Sequence, residues 1–426
     1  MRRVVILGAG AMGLAAAHHA LGRGWHATVL EAAAEPGGMA AHFDLGGMSV
    51  ERYYHFVCKS DRDTFALLGE LGLGDRMRWV ATSMGNFIGG RLHPWGDPAS
   101  LLRAPFLSPV EKLRYGLFAF AATRRAGPGR LEHLRARDWI TAWCGPRVWD
   151  RLWAPLFDLK FHELADDISA AWIWTRLKRL GTSRRSLMQE ELGFIEGGSE
   201  TLVRALVRSV ESRGGELRLS CPATRIVAEG GAVRGVRAGG ELVAAEAVIS
   251  TVPTPLLERL APDLPNLAAY AAIRNIGVAC VALRLARRVS PHFWVNVSDP
   301  RIAFPGFVEF SNLRAAAGGD AVVYVPFYMP ASHPRWAASD AAIRDEAMAG
   351  LALVNPAVTQ DALRASHVGR LRHAQPVCPP GFAALLPPVQ TPIAGLQIAD
   401  TAFYYPEDRG ISESVRLGRQ MAERLG

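Results

Sequence analysis

A glycine-rich turn near the start of the chain restricts the fold more than any other feature. The segment RRVVILGAGAMGLAAAHHALGRGWHATVLEA (2–32) opens with an unbroken apolar run, as in a strand buried on both faces of a parallel sheet. Gly8, Gly10 and Gly13 then complete the pattern GxGxxG ahead of a helix-like stretch. A second apolar run ends at Glu31. This order of strand, turn, helix, strand and acid predicts a Rossmann-type site for a dinucleotide.

Each part of this turn has a physical purpose. Gly8 permits the tight turn, Gly10 lets the backbone approach a pyrophosphate, and Gly13 lets the helix pack closely on the strand. The helix N-terminus offers free N–H groups to phosphates, and the acid accepts hydrogen bonds from ribose hydroxyls. The predicted cofactor-binding residues of this half-site are Gly8, Gly10, Ala11, Met12, Gly13, Glu31 and Ala32.

Composition limits the class of protein. A chain of 426 residues is long enough for two substantial domains, and its 21% charged residues are typical of a globular protein. The net charge of +8 comes from scattered arginines, which suits an anionic small molecule and argues against nucleic-acid binding. Five cysteines without a CxxC pair predict neither disulfides nor a metal site, and they fit a reducing cytoplasm. The chain lacks the run of roughly 18 uncharged apolar residues that predicts a membrane-spanning helix.

A second glycine pair, Gly37-Gly38, follows in the stretch EPGGMAAHFDLGGMSVERYYHF (35–56). The pair follows Glu31 closely, and this arrangement resembles the FAD-dependent flavoproteins that include amine oxidases, protoporphyrinogen oxidases and phytoene desaturases. The resemblance implies FAD as the cofactor, with the glycine pair touching its pyrophosphate and flavin. Met39 stands where this family usually has an arginine, so a charged contact is lost while the backbone turn remains.

The pattern of the same family returns in two later segments. Residues 196–260 combine a helix, short strands between glycines and a buried strand, and the resemblance assigns Ala223 and Thr251 to the nucleotide site. The segment LQIADTAFYYPEDRGISESVRLGRQMAERLG (396–426) resembles the far half of the site, with Ser412 capping the last helix. The further residues that the resemblance implies for FAD are Asp400, Arg409, Gly410 and Ile411.

The implied fold class is α/β, a Rossmann-like FAD-binding domain with an interleaved α+β substrate domain. We expect the FAD-binding domain to be discontinuous and to comprise 1–60, 193–268 and 386–426. The substrate-binding domain is expected to comprise 61–192 and 269–385. In its second part, 275–290 and 320–330 resemble strands, and 339–353 and 358–365 resemble helices.

The chain has no second GxGxxG pattern, so we expect no separate NAD(P)H domain, and the electron acceptor stays unidentified. The implied function is FAD-dependent dehydrogenation or oxidation of a small or lipid-like substrate by hydride transfer to flavin. The alternative is a non-redox flavoenzyme resembling UDP-galactopyranose mutase, acting on a sugar nucleotide or another phosphorylated substrate. The catalytic candidates, with His55 or Glu309 as a base, are Tyr54, His55, Glu309 and Tyr328.

Two middle segments leave alternatives open. The apolar stretch 101–125 fits either a core helix with a basic edge or an amphipathic helix lying on a membrane. The second alternative would place the protein at the inner face of the membrane and favour a lipid-like substrate. The cations of 178–185 fit either a solvated helix end or a grip on an anionic substrate.

The stretches 308–312 and 324–330 resemble a bacterial subset of the family that is similar to protoporphyrinogen oxidase.

Overall fold

The structure, a computed structural model, describes residues 2–426. The strands are β1 (Arg3–Leu7), β2 (His26–Leu30), β3 (His42–Asp44), β4 (Ser49–Glu51), β5 (Met77–Thr82), β6 (Met84–Ile88), β7 (Arg91–Trp95), β8 (Arg184–Ser186), β9 (Gln189–Ile195), β10 (Glu216–Arg218), β11 (Ala223–Glu229), β12 (Ala232–Ala238), β13 (Glu241–Ala244), β14 (Ala247–Ser250), β15 (Asn275–Leu285), β16 (Trp294–Val297), β17 (Gly306–Glu309), β18 (Ala321–Met329), β19 (Leu363–Pro376) and β20 (Leu396–Ile398). The α-helices are α1 (Ala11–Gly22), α2 (Arg62–Glu70), α3 (Pro98–Arg103), α4 (Pro109–Arg124), α5 (Ala136–Cys144), α6 (Pro146–Val148), α7 (Ala154–Phe161), α8 (Ala170–Thr182), α9 (Ser199–Ser212), α10 (Leu257–Leu260), α11 (Leu267–Ala271), α12 (Asp340–Val354), α13 (Phe382–Leu385) and α14 (Ile411–Glu423).

A parallel sheet of five strands forms the centre of the nucleotide-binding half. Its order is β10-β2-β1-β14-β20, so strands from the start, middle and end of the chain lie side by side. Helices α1, α9 and α14 cover one face with apolar side chains, and the β11–β13 meander covers the other. Residues Val4 to Leu7 are buried on both sides, which explains the unbroken apolar run in the sequence.

A mixed sheet of seven strands forms the second half, in the order β19-β15-β18-β17-β16-β6-β7. The long strands β15, β18 and β19 pair antiparallel over most of their length. Helix α12 packs on one face with a core of aliphatic and phenylalanine side chains. The other face packs against α4, α5, α7 and α8 in a core rich in tryptophan. Residues of both halves line one large cavity.

One of the four elements predicted for this second half is wrong. The strands near 275 and 320 and the helix near 339 are present as β15, β18 and α12. Residues 358–365 do not form the predicted helix, because the chain makes a single turn there and enters β19 at Leu363. From that residue onward the backbone pairs with β15, and this long-range pairing decides against a helix.

The start of the last helix also differs from the prediction. Gly410 is the capping residue of α14, and its carbonyl accepts hydrogen bonds from the Ser414 N–H and hydroxyl. Ser412 does not cap the helix. It is buried in the first turn, where its hydroxyl accepts a hydrogen bond from the Thr64 N–H at 3.4 Å.

Candidate active site

Two glycine turns meet at the carboxyl end of β1. Gly8 has a φ of +98°, a left-handed backbone that side chains disfavour, and it turns the chain toward α1. The Gly37 N–H donates to the Ala9 carbonyl at 2.8 Å, which fastens the second turn to the first. A Cβ on Gly38 would lie 3.2 Å from the Cα of Gly10. The two turns therefore touch backbone to backbone at the N-terminus of α1.

Gly10 and Gly13 serve this loop in different ways. Gly10 lines the cavity, and no atom lies within 4 Å of the position that its Cβ would take. A Cβ on Gly13 would lie 1.9 Å from the Gly8 carbonyl oxygen. Gly13 therefore allows α1 to pack on β1, whereas Gly10 keeps the wall of the cavity free of side chains.

Glu31 braces the first turn from the end of β2. Its Oε2 accepts a hydrogen bond from the Ala9 N–H at 2.8 Å, and its Oε1 accepts one from the Ala33 N–H at 2.9 Å. The same side chain lines the cavity. A carboxylate has about four lone-pair sites, so Glu31 can hold the loop and still accept a bond from a ligand.

One cavity of about 1660 Å³ extends from these turns to the tryptophan-rich core. Pockets for drug-sized ligands have volumes of ~300–1,000 Å³, so this cavity has room for a dinucleotide and a second molecule. Of the predicted cofactor residues, Gly13 alone does not line it. The predicted cofactor residues that line it are Gly8, Gly10, Ala11, Met12, Glu31, Ala32, Gly37, Gly38, Met39, Ala223, Thr251, Asp400, Arg409, Gly410 and Ile411.

The C-terminal segment forms the far wall of the cavity. Asp400 is buried, and its carboxylate accepts hydrogen bonds from the N–H groups of Thr254 and Ala402, each at 2.8 Å. Burial raises the pKa of Asp400, and these two donors act against that rise. Arg409 donates to the Ala374 carbonyl, and its Nε has no partner among the described residues. Side chains of this segment thus fasten it to the backbone near Thr254 and Ala374.

Three of the four catalytic candidates, Tyr54, His55 and Tyr328, lie together on the cavity wall. Burial lowers the pKa of His55 to about 4, so the ring is neutral at pH 7. Its Nδ1 has no hydrogen-bond partner among residues 2–426. Burial raises the pKa of Tyr54 well above its ordinary value, so this hydroxyl stays protonated. A pKa of about 4 makes the imidazole a weak base, so it would hold a proton taken from a bound molecule only weakly.

Glu309, the fourth candidate, lies apart from these residues. It is fully buried at the end of β17 and does not line the cavity. Its Oε2 accepts hydrogen bonds from the N–H groups of Val289 and Ser290, at 3.0 and 2.7 Å. Burial raises the pKa of Glu309 to about 7, and these donors act against that rise. The contacts show that Glu309 holds the turn after β15, which argues against its predicted role as a base.

The cavity also contains charged groups that the sequence analysis does not single out. Lys160 on α7 and Arg176 on α8 line it, together with Asp408 of the last loop. Arg176 forms an ion pair with Asp408 and lies over the Trp172 ring, 4.9 Å from its centroid. In the sequence, Lys160 and Arg176 lie in a stretch rich in aromatic residues, and that pattern could have indicated this cluster.

The cations of 178–185 are largely committed to contacts within the protein. Arg179 forms a two-point ion pair with Asp61, with N–O distances of 3.1 and 2.7 Å. Lys178 and Arg184 donate to backbone carbonyls. Of the two alternatives for this segment, these contacts argue against a grip on an anionic substrate.

Helix α4 exposes apolar side chains. Val110, Leu113, Leu117 and Phe120 recur every three or four residues, and each exposes between 52% and 66% of its surface. On the other side of the helix, Phe118 packs into the aromatic core. Phe120 also lines the cavity, so the apolar face of α4 borders it. Within the described part of the chain, no helix is both long and apolar enough to cross a membrane.

The residues present fit the FAD that the sequence resemblance implies. A pyrophosphate needs backbone N–H groups on a surface without side chains, and the open position at Gly10 beside the start of α1 provides one. The turn at Gly37-Gly38 extends this surface. The ring system of a flavin needs a mainly apolar chamber, which the aromatic end of the cavity supplies.

Comparisons with known proteins agree with this site. The model of the family described as flavin containing amine oxidoreductase matches residues 13–424. The chain is 26% identical over 282 residues to the 15-cis-phytoene desaturase, chloroplastic/chromoplastic, of Arabidopsis thaliana. That alignment covers 61% of this chain and 49% of the relative, so the chain spans about half the length of the relative.

Solved structures share the fold along the whole chain. A protoporphyrinogen oxidase-like protein from Exiguobacterium sp. 255-15 superposes with a TM-score of 0.77 at 19% identity, covering 100% of this chain and 98% of that one. Reduced UDP-galactopyranose mutase superposes with a TM-score of 0.74 at 16% identity, covering 100% and 94%. At such identities these likenesses establish the fold alone. The family match confirms the predicted α/β flavoprotein fold and the FAD cofactor. The chain belongs to the flavin-containing amine oxidoreductase family.

Proposed function

We propose that this chain is an FAD-dependent oxidoreductase that removes a hydride from a small or lipid-like organic substrate. The observation that carries the proposal is the continuous cavity, which joins the glycine turns to an apolar chamber. FAD supplies the acceptor of two electrons when it is bound. The chain holds the cofactor at the glycine turns, and aromatic side chains line the chamber beside them. His55, which lies on the cavity wall, is the residue that we propose to accept the proton that the substrate also loses.

We further propose a division of labour along the chain. The parallel sheet takes its strands from 1–60, 193–268 and 386–426, which supports cofactor binding by these ranges. The tryptophan-rich core comes mostly from 61–192 and 269–385, which supports substrate binding there. The proposed boundary at 193 falls inside β9, so the two functions share that strand. The residues proposed for catalysis are Tyr54, His55 and Tyr328.

Anaerobic mixing of the FAD-loaded protein with apolar candidate substrates tests the proposal. A redox enzyme bleaches its flavin upon mixing, and the product has two hydrogens fewer than the substrate. His55→Asn keeps the size of the side chain, and it should slow this bleaching while FAD occupancy stays unchanged. A protein that retains no flavin would contradict the whole assignment.

A second function, non-redox chemistry resembling that of UDP-galactopyranose mutase, is favoured by one observation. Arg176 and Arg409 bring positive charge to the aromatic chamber, which suits a phosphorylated substrate. A mutase-like enzyme turns over only after its flavin has been reduced, and it causes no net redox change. The same mixing experiment, run with oxidised and with pre-reduced protein, therefore separates the two functions.

We also propose that the apolar face of α4 rests on the inner surface of the membrane, which places this protein at the cytoplasmic side. The turn between β8 and β9 adds Leu187, which is 80% exposed and also lines the cavity. The neighbouring Arg103, Arg124 and Arg185 are exposed and suit anionic lipid. An apolar substrate could then enter the cavity directly from the lipid.

Vesicle co-sedimentation tests this surface. Leu113→Asp with Leu117→Asp should abolish binding to vesicles that contain phosphatidylglycerol. Leu353→Asp on the distant α12 is the matched control, because Leu353 is also exposed, at 39%. Equal sedimentation of the wild type and the double variant would refute the proposal.

A further inference from the structure

Lys160 lies at the end of α7 and faces the cavity inside a cluster of aromatic rings. Its Nζ is 4.9 Å from the ring centroids of both Trp172 and Tyr328, and 5.4 Å from that of Phe161. Tyr328 belongs to the catalytic group proposed above. The lysine therefore occupies the part of the chamber in which a substrate must lie.

Lys160 differs from the other lysines of the chain in its lack of a polar partner. Lys59 forms an ion pair with Glu191, and Lys112 and Lys178 donate to backbone carbonyls. Among residues 2–426, the Lys160 ammonium group has neither a hydrogen bond nor an ion pair. The side chain is half-buried and its neighbours are aromatic rings, so no hydrogen-bonded contact within the protein explains its position.

The charges around Lys160 are unbalanced. Arg176 and Arg409 are both close enough to affect it, and Asp408 is the carboxylate that opposes them. That carboxylate is already paired with Arg176. Three basic side chains thus share one acidic side chain in a half-buried cluster.

This arrangement indicates a substrate class, and that inference rests on the function proposed above. We propose that Lys160 is the receptor for an anionic head group, a carboxylate or a phosphate, on an otherwise apolar substrate. The aromatic rings that would otherwise receive a cationic amine already surround the protein's own ammonium group. An incoming amine would also meet Arg176 and Arg409, so the site disfavours cationic amines.

Protonation supplies a distinctive signature. Burial lowers the pKa of Lys160 well below its ordinary value, and Arg176 adds to this effect. An anion bound at Nζ favours the charged form, so binding should draw a proton from the buffer. The titratable and charged groups that face Lys160 are Arg176, Asp408, Arg409, Cys378 and Tyr328.

Isothermal titration of the FAD-loaded protein with four ligands of one chain length tests the assignment. The probes are decanoate, decyl phosphate, decan-1-ol and decylamine, each measured in two buffers of different ionisation enthalpy. We expect the wild type to bind at least one anion at least 10-fold more tightly than decan-1-ol, with proton uptake, and decylamine most weakly. The carboxylate and phosphate arms identify which anion the receptor takes.

Three variants complete the test. Lys160→Met should lose the preference for anions and the proton uptake, while FAD occupancy and decan-1-ol binding stay at wild-type levels. Lys160→Arg should keep the preference without proton uptake, because arginine is always charged. Lys59→Met, at a lysine that does not itself line the cavity, should behave as the wild type. If Lys160→Met fails to fold, the comparison of the arginine variant with the wild type still decides.

Two results would overturn the assignment. One is an anion preference that persists in Lys160→Met, and the other is tighter binding of decylamine than of both anions by the wild type. Failure of the proposed redox function is a separate outcome, because ligand preference is measured without turnover. A protein that prefers anions but never reduces its flavin would keep the receptor and reject the oxidoreductase.

Discussion

The two glycines Gly10 and Gly13 lie three residues apart, and the structure predicts opposite defects when each is changed to alanine. At Gly13 the new Cβ would lie 1.9 Å from the Gly8 carbonyl oxygen, whereas ordinary contact begins at 3.4 Å. The helix or the turn must therefore shift by about 1.5 Å. Overpacking of this kind costs ~1–3 kcal/mol, so Gly13→Ala should lower the melting temperature of the FAD-free protein.

Gly10→Ala should leave the fold almost intact and damage cofactor binding. Gly10 has a φ of −72°, which alanine adopts freely, and no atom lies within 4 Å of the new Cβ. The loss of stability should stay below about 1 kcal/mol, the usual difference between residues at a helix cap. The methyl group would project into the cavity at the proposed phosphate surface. A 10-fold loss of FAD affinity, or ~1.4 kcal/mol, is the smallest effect that we expect.

Thermal melts without FAD, followed by titration with FAD, separate the two variants. Gly13→Ala should melt earlier than the wild type, and Gly10→Ala should melt near it but fill poorly with flavin. The reasoning fails if the FAD-free variants melt at the same temperature. It fails equally if Gly10→Ala binds FAD as tightly as the wild type, because the open surface at Gly10 would then have no part in binding.

Three further changes test other parts of the structure. Glu31→Gln replaces the carboxylate that accepts the hydrogen bonds bracing the first glycine turn. FAD should bind roughly 10-fold more weakly, measured as a lower flavin occupancy at a fixed FAD concentration. Asp61→Ala leaves Arg179 without its buried partner and should lower the free energy of unfolding by about 3–5 kcal/mol. The loss should appear as a lower melting temperature, and an unchanged melting temperature would show that water replaces the carboxylate. Burial raises the pKa of Glu413 from 4.5 to about 7, so the stability linked to this group is present below pH 4.5 and lost as the pH rises through 7. Glu413→Gln removes that loss, so the variant should be the more stable protein at pH 8, by on the order of 3 kcal/mol at most, and the gain should vanish near pH 4.

The first half of the cofactor site could be predicted from the sequence because its chemistry is local. Gly8, Gly10 and Glu31 belong to one unit of strand, turn, helix and strand, and backbone geometry dictates which residue types fit there. The far half could be predicted only through family resemblance. Nothing in the local sequence says that Asp400 joins a cavity that begins at Gly8, since parallel strand pairing brings those segments together.

By itself, the sequence determined the α/β class, the nucleotide turn and the aromatic character of the second half, because residue type and spacing carry that information. Only the tertiary structure decided which charged residues act inside the cavity. Glu309 is engaged by the N–H groups of Val289 and Ser290, and Lys160 is surrounded by rings and cations from other segments. Which contacts a charged side chain makes depends on neighbours that are distant in the chain, so no local pattern could separate these two residues.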